Sequence, residues 1–339
     1  MTWLNRSAMV LLAAVLLVFA QTSLAEPVKL RLGTLIPKNS LYHRVLLELG
    51  EAWKKAQNDG STFTAYTDGT QGSETDTVKR MRIGQLNAAL ITVVGLREID
   101  PAVSALQNLP LAFRSWEELD YVRDRMRPAL DKKFLDKGYV VLLWGDAGWV
   151  RFFSHDPASR PDDYKRMKMF SWAGEPEQLE IMKRLGYQPV SLETADILPA
   201  LQTGLINAVP ATPYFALAAQ LNGPAPYMLE LNWAPIVGAL VITAKAWNAM
   251  SAAGRDALRR EAVTTGAQMR IKARAEVDEA VAAMRKRGLH VTQLSPAEEA
   301  EWRKFAEGVY PKIQGTLVPA ETFDEVTRLL REYRALGSK

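Results

Sequence analysis

A long stretch without proline, residues 251–287, constrains the fold more than any other feature of the sequence. Gly288 ends the stretch, and Gly266 interrupts its pattern. Its apolar positions recur mostly at steps of three and four, which is the spacing of one helix face. They are Leu258, Ala262, Met269, Ala273, Val277, Val281 and Met284. A helix of this length rises roughly 50 Å. That is about the span of two small lobes, so the sequence predicts one helix that spans two lobes.

Strands and helices alternate along the rest of the chain. Apolar and charged residues alternate over 28–32, which predicts a half-buried strand. Ser115 and Glu118 form a capping box that predicts the start of a helix. An apolar run over 139–144 lies between glycines and predicts a buried strand. A second set of the same kind follows, so the predicted fold class is α/β.

The N-terminus is typical of a secretory signal peptide. One positive charge in residues 1–6 precedes an apolar run over 8–20, and residues 23–25 supply the small side chains that signal peptidase recognises. The run is shorter than the ~20 apolar residues that span a bilayer, which disfavours the alternatives of a membrane anchor or a core helix. We therefore expect residues 1–25 to be cleaved and the chain that starts at Glu26 to reside in the periplasm.

The amino-acid composition excludes several kinds of site and argues against one kind of partner. The chain has no cysteine, which excludes disulfides, thiolate metal sites, thiol catalysis and a lipid-modified cysteine. A formal net charge of +4, spread evenly, argues against a nucleic-acid partner, because nucleic acid requires a concentrated basic face.

The motifs of common enzymes are absent from the sequence. His43, His155 and His290 are far apart and lack a second ligand at metal spacing. There is no nucleophile elbow, no phosphate-binding glycine loop and no zinc-protease motif. We therefore expect no catalytic residue, no metal and no cofactor.

Aromatic residues are concentrated in the middle third of the chain. Trp144, Trp149 and Trp172 stand beside glycines near predicted strand ends. Strand ends line the ligand crevice of open α/β sheets, so we interpret these side chains as walls of a pocket in preference to core residues. Phe170, Tyr214 and Trp233 belong to the same group.

Several blocks of sequence resemble the solute receptors of tripartite ATP-independent periplasmic (TRAP) transporters, the DctP type. They are residues 161–168 (PDDYKRMK), 185–190 (LGYQPV) and 200–208 (ALQTGLINA), together with 32–34, 71–74 and 83–87. The resemblance extends over nearly the whole chain after the signal peptide, and the Ala-Leu-Gln-Thr-Gly block is its most specific part.

The resemblance implies a two-lobed, periplasmic-binding-protein-like fold with cross-over strands and one long helix spanning both lobes. Lobe I would comprise 26–145 and 234–270, and lobe II 146–233 and 271–339. It also implies that the lobes close over a small organic ligand and that the closed form docks on the membrane permease subunits of the transporter, which an ion gradient drives.

The sequence departs from the family pattern at positions that would contact the ligand. The family arginine that grips a ligand carboxylate is replaced by Phe170, and a second family arginine is displaced by one residue to Arg151. Such a slip in a strand reverses the face on which a side chain lies. The acidic and amide positions after the Ala-Leu-Gln-Thr-Gly block have become Asn207, Pro210 and Ala211.

We therefore predict a pocket that is more apolar and aromatic than that of a dicarboxylate receptor. The ligand would have a hydrophobic or aromatic face, and Arg151 would be its partner if it is an acid. The predicted ligand-binding residues are Glu74, Val93, Trp144, Trp149, Arg151, Phe170, Trp172, Asn207, Thr212, Tyr214 and Trp233.

Three other functions remain open at the level of sequence. A receptor of this shape could be the sensory partner of a membrane kinase. An exported enzyme could use Glu74 or Asp146 as a general base, which requires a carboxylate with a shifted pKa. Binding through a metal bridge is a third, although no cluster of oxygen ligands is evident.

Overall fold

Two mixed β-sheets form the framework of the protein. A computed structural model describes residues 27–336, so the expected signal peptide, residues 1–25, lies outside the described residues. The strands are β1 (Lys29–Thr34), β2 (Thr62–Tyr66), β3 (Ala88–Thr92), β4 (Tyr139–Trp149), β5 (Arg151–Ser154), β6 (Lys168–Trp172), β7 (Gln188–Leu192), β8 (Ala208–Ala211), β9 (Tyr227–Leu229), β10 (Pro235–Thr243) and β11 (His290–Thr292). The first sheet has the order β2-β1-β3-β10-β4 and the second the order β11-β9-β5-β8-β6-β7. The predicted α/β fold with two lobes is confirmed.

Helices cover both sheets. They are α1 (Leu41–Gln57), α2 (Glu74–Arg82), α3 (Val93–Leu96), α4 (Trp116–Asp136), α5 (Pro161–Lys165), α6 (Pro176–Arg184), α7 (Ile197–Gln202), α8 (Pro213–Ala218), α9 (Ala244–Ala249), α10 (Ala252–Arg285), α11 (Pro296–Ile313) and α12 (Ala320–Leu336), with short 3-10 helices at Pro101–Leu106 and Thr194–Asp196. A capping box of Ser295 and Glu298 starts α11. Within the described residues, none of the helices combines the length and hydropathy needed to cross a membrane.

The two sheets are joined by strands that cross from one to the other. Strand β4 ends in the first sheet at Trp149, and β5 begins in the second at Arg151. The return crossing runs from β9 to β10. The Val150 N–H donates to the Ala234 carbonyl at 2.8 Å, and the Trp233 N–H donates to the Val150 carbonyl at 3.0 Å. The two crossings are therefore hydrogen-bonded to each other and form one connection between the lobes.

Helix α10 is the long helix that the sequence predicts. It has 34 residues, and the Ser251 hydroxyl caps it by accepting from the Gly254 N–H. Its first half packs in the core of the first lobe through residues such as Leu258, and its last turns pack in the core of the second through Met284. The helix continues through Gly266, where a β-carbon would lie 3.3 Å from that of Leu143. A glycine there lets the helix approach β4 closely.

The C-terminal packing differs from the expected lobe limits. Val326, Leu329 and Leu330 of α12 are buried in the core of the first lobe, whereas the sequence assigned 271–339 to lobe II. The apolar face of α12 rests on α4, a contact that local periodicity does not reveal. The crossing at Val150 also lies a few residues beyond the expected limit at 145. The lobe limits themselves stay a prediction.

Helix α11 is anchored by one aromatic side chain. Trp302 is 1% exposed, stacks on Phe152 at 5.3 Å between ring centroids, and donates from Nε1 to the Ser159 carbonyl at 2.7 Å. Its removal takes away both an apolar ring and the hydrogen bond to the Ser159 carbonyl.

We expect Trp302→Ala to lower the free energy of unfolding by about 3–5 kcal/mol, because a cavity of this size cannot be refilled by its neighbours. Denaturant titration followed by circular dichroism would measure the change. Ile271→Ala is the control, since Ile271 on α10 is 69% exposed, and its effect should stay within about 0.5 kcal/mol. Equal losses in the two variants would contradict this account of α11.

Candidate ligand-binding cleft

A cavity of about 370 Å³ lies between the two lobes. The carboxyl ends of β1 and β3 supply Thr34 and Thr92 from the first lobe, and the ends of β6 and β8 supply Trp172 and Ala211 from the second. Strand β1 is parallel to β3, and β6 is parallel to β8. Open α/β sheets bind ligands at the carboxyl ends of such strands.

The lobes touch each other around the cavity. The rings of Tyr42 on α1 and Tyr214 on α8 meet edge to face, with centroids 5.6 Å apart. Arg97, which follows α3, reaches across to Glu177 on α6 with an N–O distance of 2.8 Å. These contacts join the two lobes beside the cavity.

Six of the predicted site residues line this cavity. They are Glu74, Phe170, Trp172, Thr212, Tyr214 and Trp233. Phe170 and Trp172 stand on one face of β6 and pack edge to face at 4.7 Å. Thr212 caps α8, because its hydroxyl accepts from the Phe215 N–H at 3.4 Å. Their role in binding a ligand stays a prediction, but the structure brings them together.

Glu74 is buried at the wall of the first lobe and is held by three donors. Its carboxylate accepts from the Thr92 N–H at 2.8 Å, the Thr92 hydroxyl at 2.6 Å and the Gly95 N–H at 3.0 Å. Burial raises its pKa, while these hydrogen bonds act in the opposite direction. Its hydrogen bonds fix the start of α3 against the cavity, and they also occupy the oxygens that a general base would need.

Three predicted residues are core side chains that do not line the cavity. Val93 is fully buried within the first lobe. Trp144 donates from Nε1 to the Asp131 carboxylate at 2.8 Å and lies against α4. Trp149 packs on Trp116 at 4.8 Å. Strand alternation explains the position of Trp144, because its neighbours Leu143 and Gly145 face the cavity.

Arg151 and Asn207 also lie outside the cavity. Phe152 faces the cavity, so Arg151, its neighbour in β5, projects to the other side. There Arg151 pairs with Glu230 and Asn232, both at 3.4 Å. Asn207 precedes β8 at the end remote from the cavity, where its Oδ1 accepts from the Lys168 N–H at 2.7 Å. A carboxylate ligand in this cavity would not meet Arg151.

Asp146 is a wall residue whose partners the sequence does not indicate. Its Oδ2 accepts from Arg123 on α4 at 3.3 Å and from Arg274 on α10 at 3.0 Å. Arg274 also holds Asp120 at 2.7 Å. These four side chains come from three separate elements, so only the tertiary fold brings them together. Both guanidinium groups are bound to carboxylates and neither lines the cavity.

Glu175 is a wall residue that the sequence pattern does not indicate. It precedes α6 and is only 3% exposed. Its Oε1 lies 4.0 Å from an Arg97 nitrogen, too far for a hydrogen bond, because Arg97 is bound more closely to Glu177. Burial raises the pKa of Glu175 to about 7; Arg97 opposes the rise, and Glu74 and Glu177 add to it. In the sequence, Glu175 precedes a proline that begins a helix. A glutamate in this position is typically exposed to solvent, so the sequence does not indicate that it is buried.

The described residues offer no group of three or more histidine, aspartate or glutamate side chains arranged to hold a metal ion. The cavity lining combines aromatic rings with hydrogen-bonding side chains such as Thr212 and Tyr214. The arrangement can enclose a compact ligand, cover it with aromatic rings and hydrogen-bond its polar end.

Comparison with known proteins supplies the family. The sequence profile of DctP, bacterial extracellular solute-binding protein family 7, matches residues 32–316. The chain belongs to this family. It is similar to the C4-dicarboxylate-binding periplasmic protein DctP of Rhodobacter capsulatus, with 20% identity over 321 residues, covering 94% of this chain and 96% of the relative. The predicted resemblance is confirmed, and the family is one of solute receptors rather than of enzymes.

Solved structures of TRAP periplasmic solute-binding proteins have the same fold as this family member. One from Ralstonia eutropha, with bound (S)-2-acetolactate, has a TM-score of 0.82 at 20% identity and covers 90% of this chain and 99% of its own. Another from Chromohalobacter salexigens, with bound D-glucuronate, has a TM-score of 0.80 at 17% identity and covers 89% and 99%. At this identity the likeness establishes the architecture.

We expect Glu175→Gln to raise the melting temperature at about pH 8 and to leave it nearly unchanged at about pH 4. A carboxyl whose folded pKa exceeds its unfolded value stabilises the fold below the unfolded pKa, and this contribution is lost as the pH rises through about 7. The amide carries no charge at either pH, so the variant avoids the loss. Differential scanning fluorimetry across this range would measure it.

The control is Glu180→Gln on the same helix, because Glu180 is exposed and pairs with Lys183 at 2.9 Å. Its removal should give no gain in melting temperature at about pH 8. A gain for Glu175→Gln of the same size at both ends of the pH range would contradict the assignment of the charge to that carboxyl.

Proposed function

We propose that this protein is the periplasmic receptor of a TRAP transporter. It captures a compact organic solute between its lobes and delivers it to membrane permease subunits driven by an ion gradient. The family match over residues 32–316 supports the receptor role. The names of the relatives support the transporter class and the periplasmic location, together with the signal peptide that the sequence predicts at residues 1–25.

The observation that carries this proposal is the cavity closed between the lobes. Its walls come from both lobes, and the rings of Tyr42 and Tyr214 meet across it. A ligand in this position contacts both walls only when the lobes are closed, so its binding energy stabilises the closed state. The hydrogen-bonded crossings at Val150 and Ala234 are the connection about which such closure would occur.

The lining supports a ligand with an apolar or aromatic face. Trp172 and Trp233 are half-buried and present aromatic surface to the cavity, and the buried Phe170 packs against Trp172. Each exposed ring that the ligand covers fully contributes on the order of 1–3 kcal/mol. The relatives named above were solved with acids, which are more polar. The replacement of the family arginine by Phe170 supports a different ligand for this member.

We expect the protein purified from the periplasm to carry a small molecule that native mass spectrometry detects, because a closed cleft releases its ligand slowly. After the ligand is removed by unfolding and refolding, the released molecule should bind again. Trp172→Ala should weaken that binding at least tenfold in isothermal titration calorimetry, since tenfold corresponds to about 1.4 kcal/mol, within the contribution of one covered ring.

The matched control is Trp116→Ala. Trp116 packs on Trp149 on the far side of β4 and does not line the cavity, so the affinity of this variant should change by less than about threefold, or 0.6 kcal/mol. Equal affinity in wild type and Trp172→Ala would place the ligand elsewhere and would count against the proposed receptor site.

A further inference from the structure

The charged side chains that line the cavity are all acidic. They are Glu74, Asp146, Glu175 and Glu193. Over residues 27–336, the cavity wall includes no lysine, arginine or histidine. Three guanidinium groups near the wall are bound to carboxylates: Arg97 holds Glu177 at 2.8 Å, and Arg123 and Arg274 share Asp146. A ligand in the cavity therefore meets negative charge without a free cation.

Two of these carboxylates present an oxygen that has no hydrogen-bond donor in the protein. They are Oε1 of Glu175 and Oδ1 of Asp146, and both side chains are almost completely buried. A buried carboxylate oxygen without a donor is costly, because water no longer solvates it. A donor on the ligand would remove that cost. Asp146 is already compensated by two arginines, so Glu175 is the site where a positive charge gains most.

Glu175 and aromatic side chains line the same cavity. The Glu175 N–H donates to the Trp172 carbonyl at 3.3 Å, so the two residues belong to one turn at the end of β6. Trp172 packs on Phe170 from the same strand. A cavity that combines carboxylates with aromatic rings suits an organic cation, because the face of an aromatic ring carries negative charge.

We infer that the ligand of this receptor is an organic amine, bound in its protonated form. Its apolar body lies on the aromatic walls, and its ammonium group donates to Glu175. This inference rests on the proposed function and names the class of solute. A carboxylate ligand would instead be buried beside like charges, and Arg151, the arginine expected to bind an acid, faces away from the cavity.

The test compares amines with carboxylates on the same skeletons. Ligand-free protein at about pH 8, where Glu175 is ionised and alkylamines remain protonated, is screened by thermal shift with phenethylamine, cyclohexylmethylamine and pentylamine. The matched acids are hydrocinnamate, cyclohexylacetate and hexanoate. We expect amines to raise the melting temperature and their matched acids to leave it unchanged. The strongest stabiliser is then titrated by calorimetry.

Glu175→Gln should weaken binding of that amine at least tenfold, because the amide keeps the shape and loses the charge. Glu180→Gln should leave the affinity unchanged, since Glu180 is exposed on α6 and lies outside the cavity lining. Circular dichroism of each variant would establish that it is folded.

Stabilisation by the acids instead of the amines would overturn the inference. So would an amine that binds Glu175→Gln as tightly as the wild type. If acids bind and Trp172→Ala weakens them, the proposed receptor function stands and only the ligand class is wrong. If none of these compounds binds and the purified protein carries no small molecule, both the inference and the proposed function fail.

Discussion

The two connections between the sheets are hydrogen-bonded to each other at Val150, and the arrangement of both lobes depends on this pair. The Val150 N–H and carbonyl are both used, by Ala234 and Trp233. The two crossing segments therefore run between the sheets as one hydrogen-bonded pair. This pair sets the two sheets side by side, with the ends of their parallel strands toward each other. The cavity lies where those ends meet, and Trp233 and Ala234 of the crossing form part of its wall. The same connection that joins the lobes thus positions the ligand site.

Helix α10 works with this connection. It packs through Leu258 and Met269 on the first lobe and through Val281 and Met284 on the second. It is continuous over 34 residues, so one element joins the cores of the two lobes. Between the lobes, Arg97 after α3 pairs with Glu177 on α6. That pairing leaves Glu175 with Arg97 only at 4.0 Å, so a poorly compensated carboxylate lies on the cavity wall.

Electrostatic balance differs between the cavity and its surroundings. Behind the wall, Arg123 and Arg274 offset Asp120 and Asp146, so the charges there are paired. On the wall itself, Glu175 has only Arg97 as an opposing charge, at 4.0 Å. A protein that recognised an acid in this cavity would need the reverse arrangement, since a buried charge must be offset by an opposite one. The aromatic side chains that line the cavity fit the same conclusion, because their faces also favour a cation.

The amino-acid sequence by itself determined the local elements and the family. The period of residues 251–287 determines α10, and the capping box at Ser295 determines the start of α11, because helix spacing and capping are local properties. Strand assignment also indicated which stretches end at the cleft, and this placed Phe170 and Trp172 there. Only the tertiary structure decided which face of each strand looks inward: it turned Trp144 toward α4 and Arg151 toward Glu230. The tertiary structure also decided how distant charges pair. The partners of Asp146 and Glu175 come from separate elements that pack together, and local sequence patterns do not indicate them.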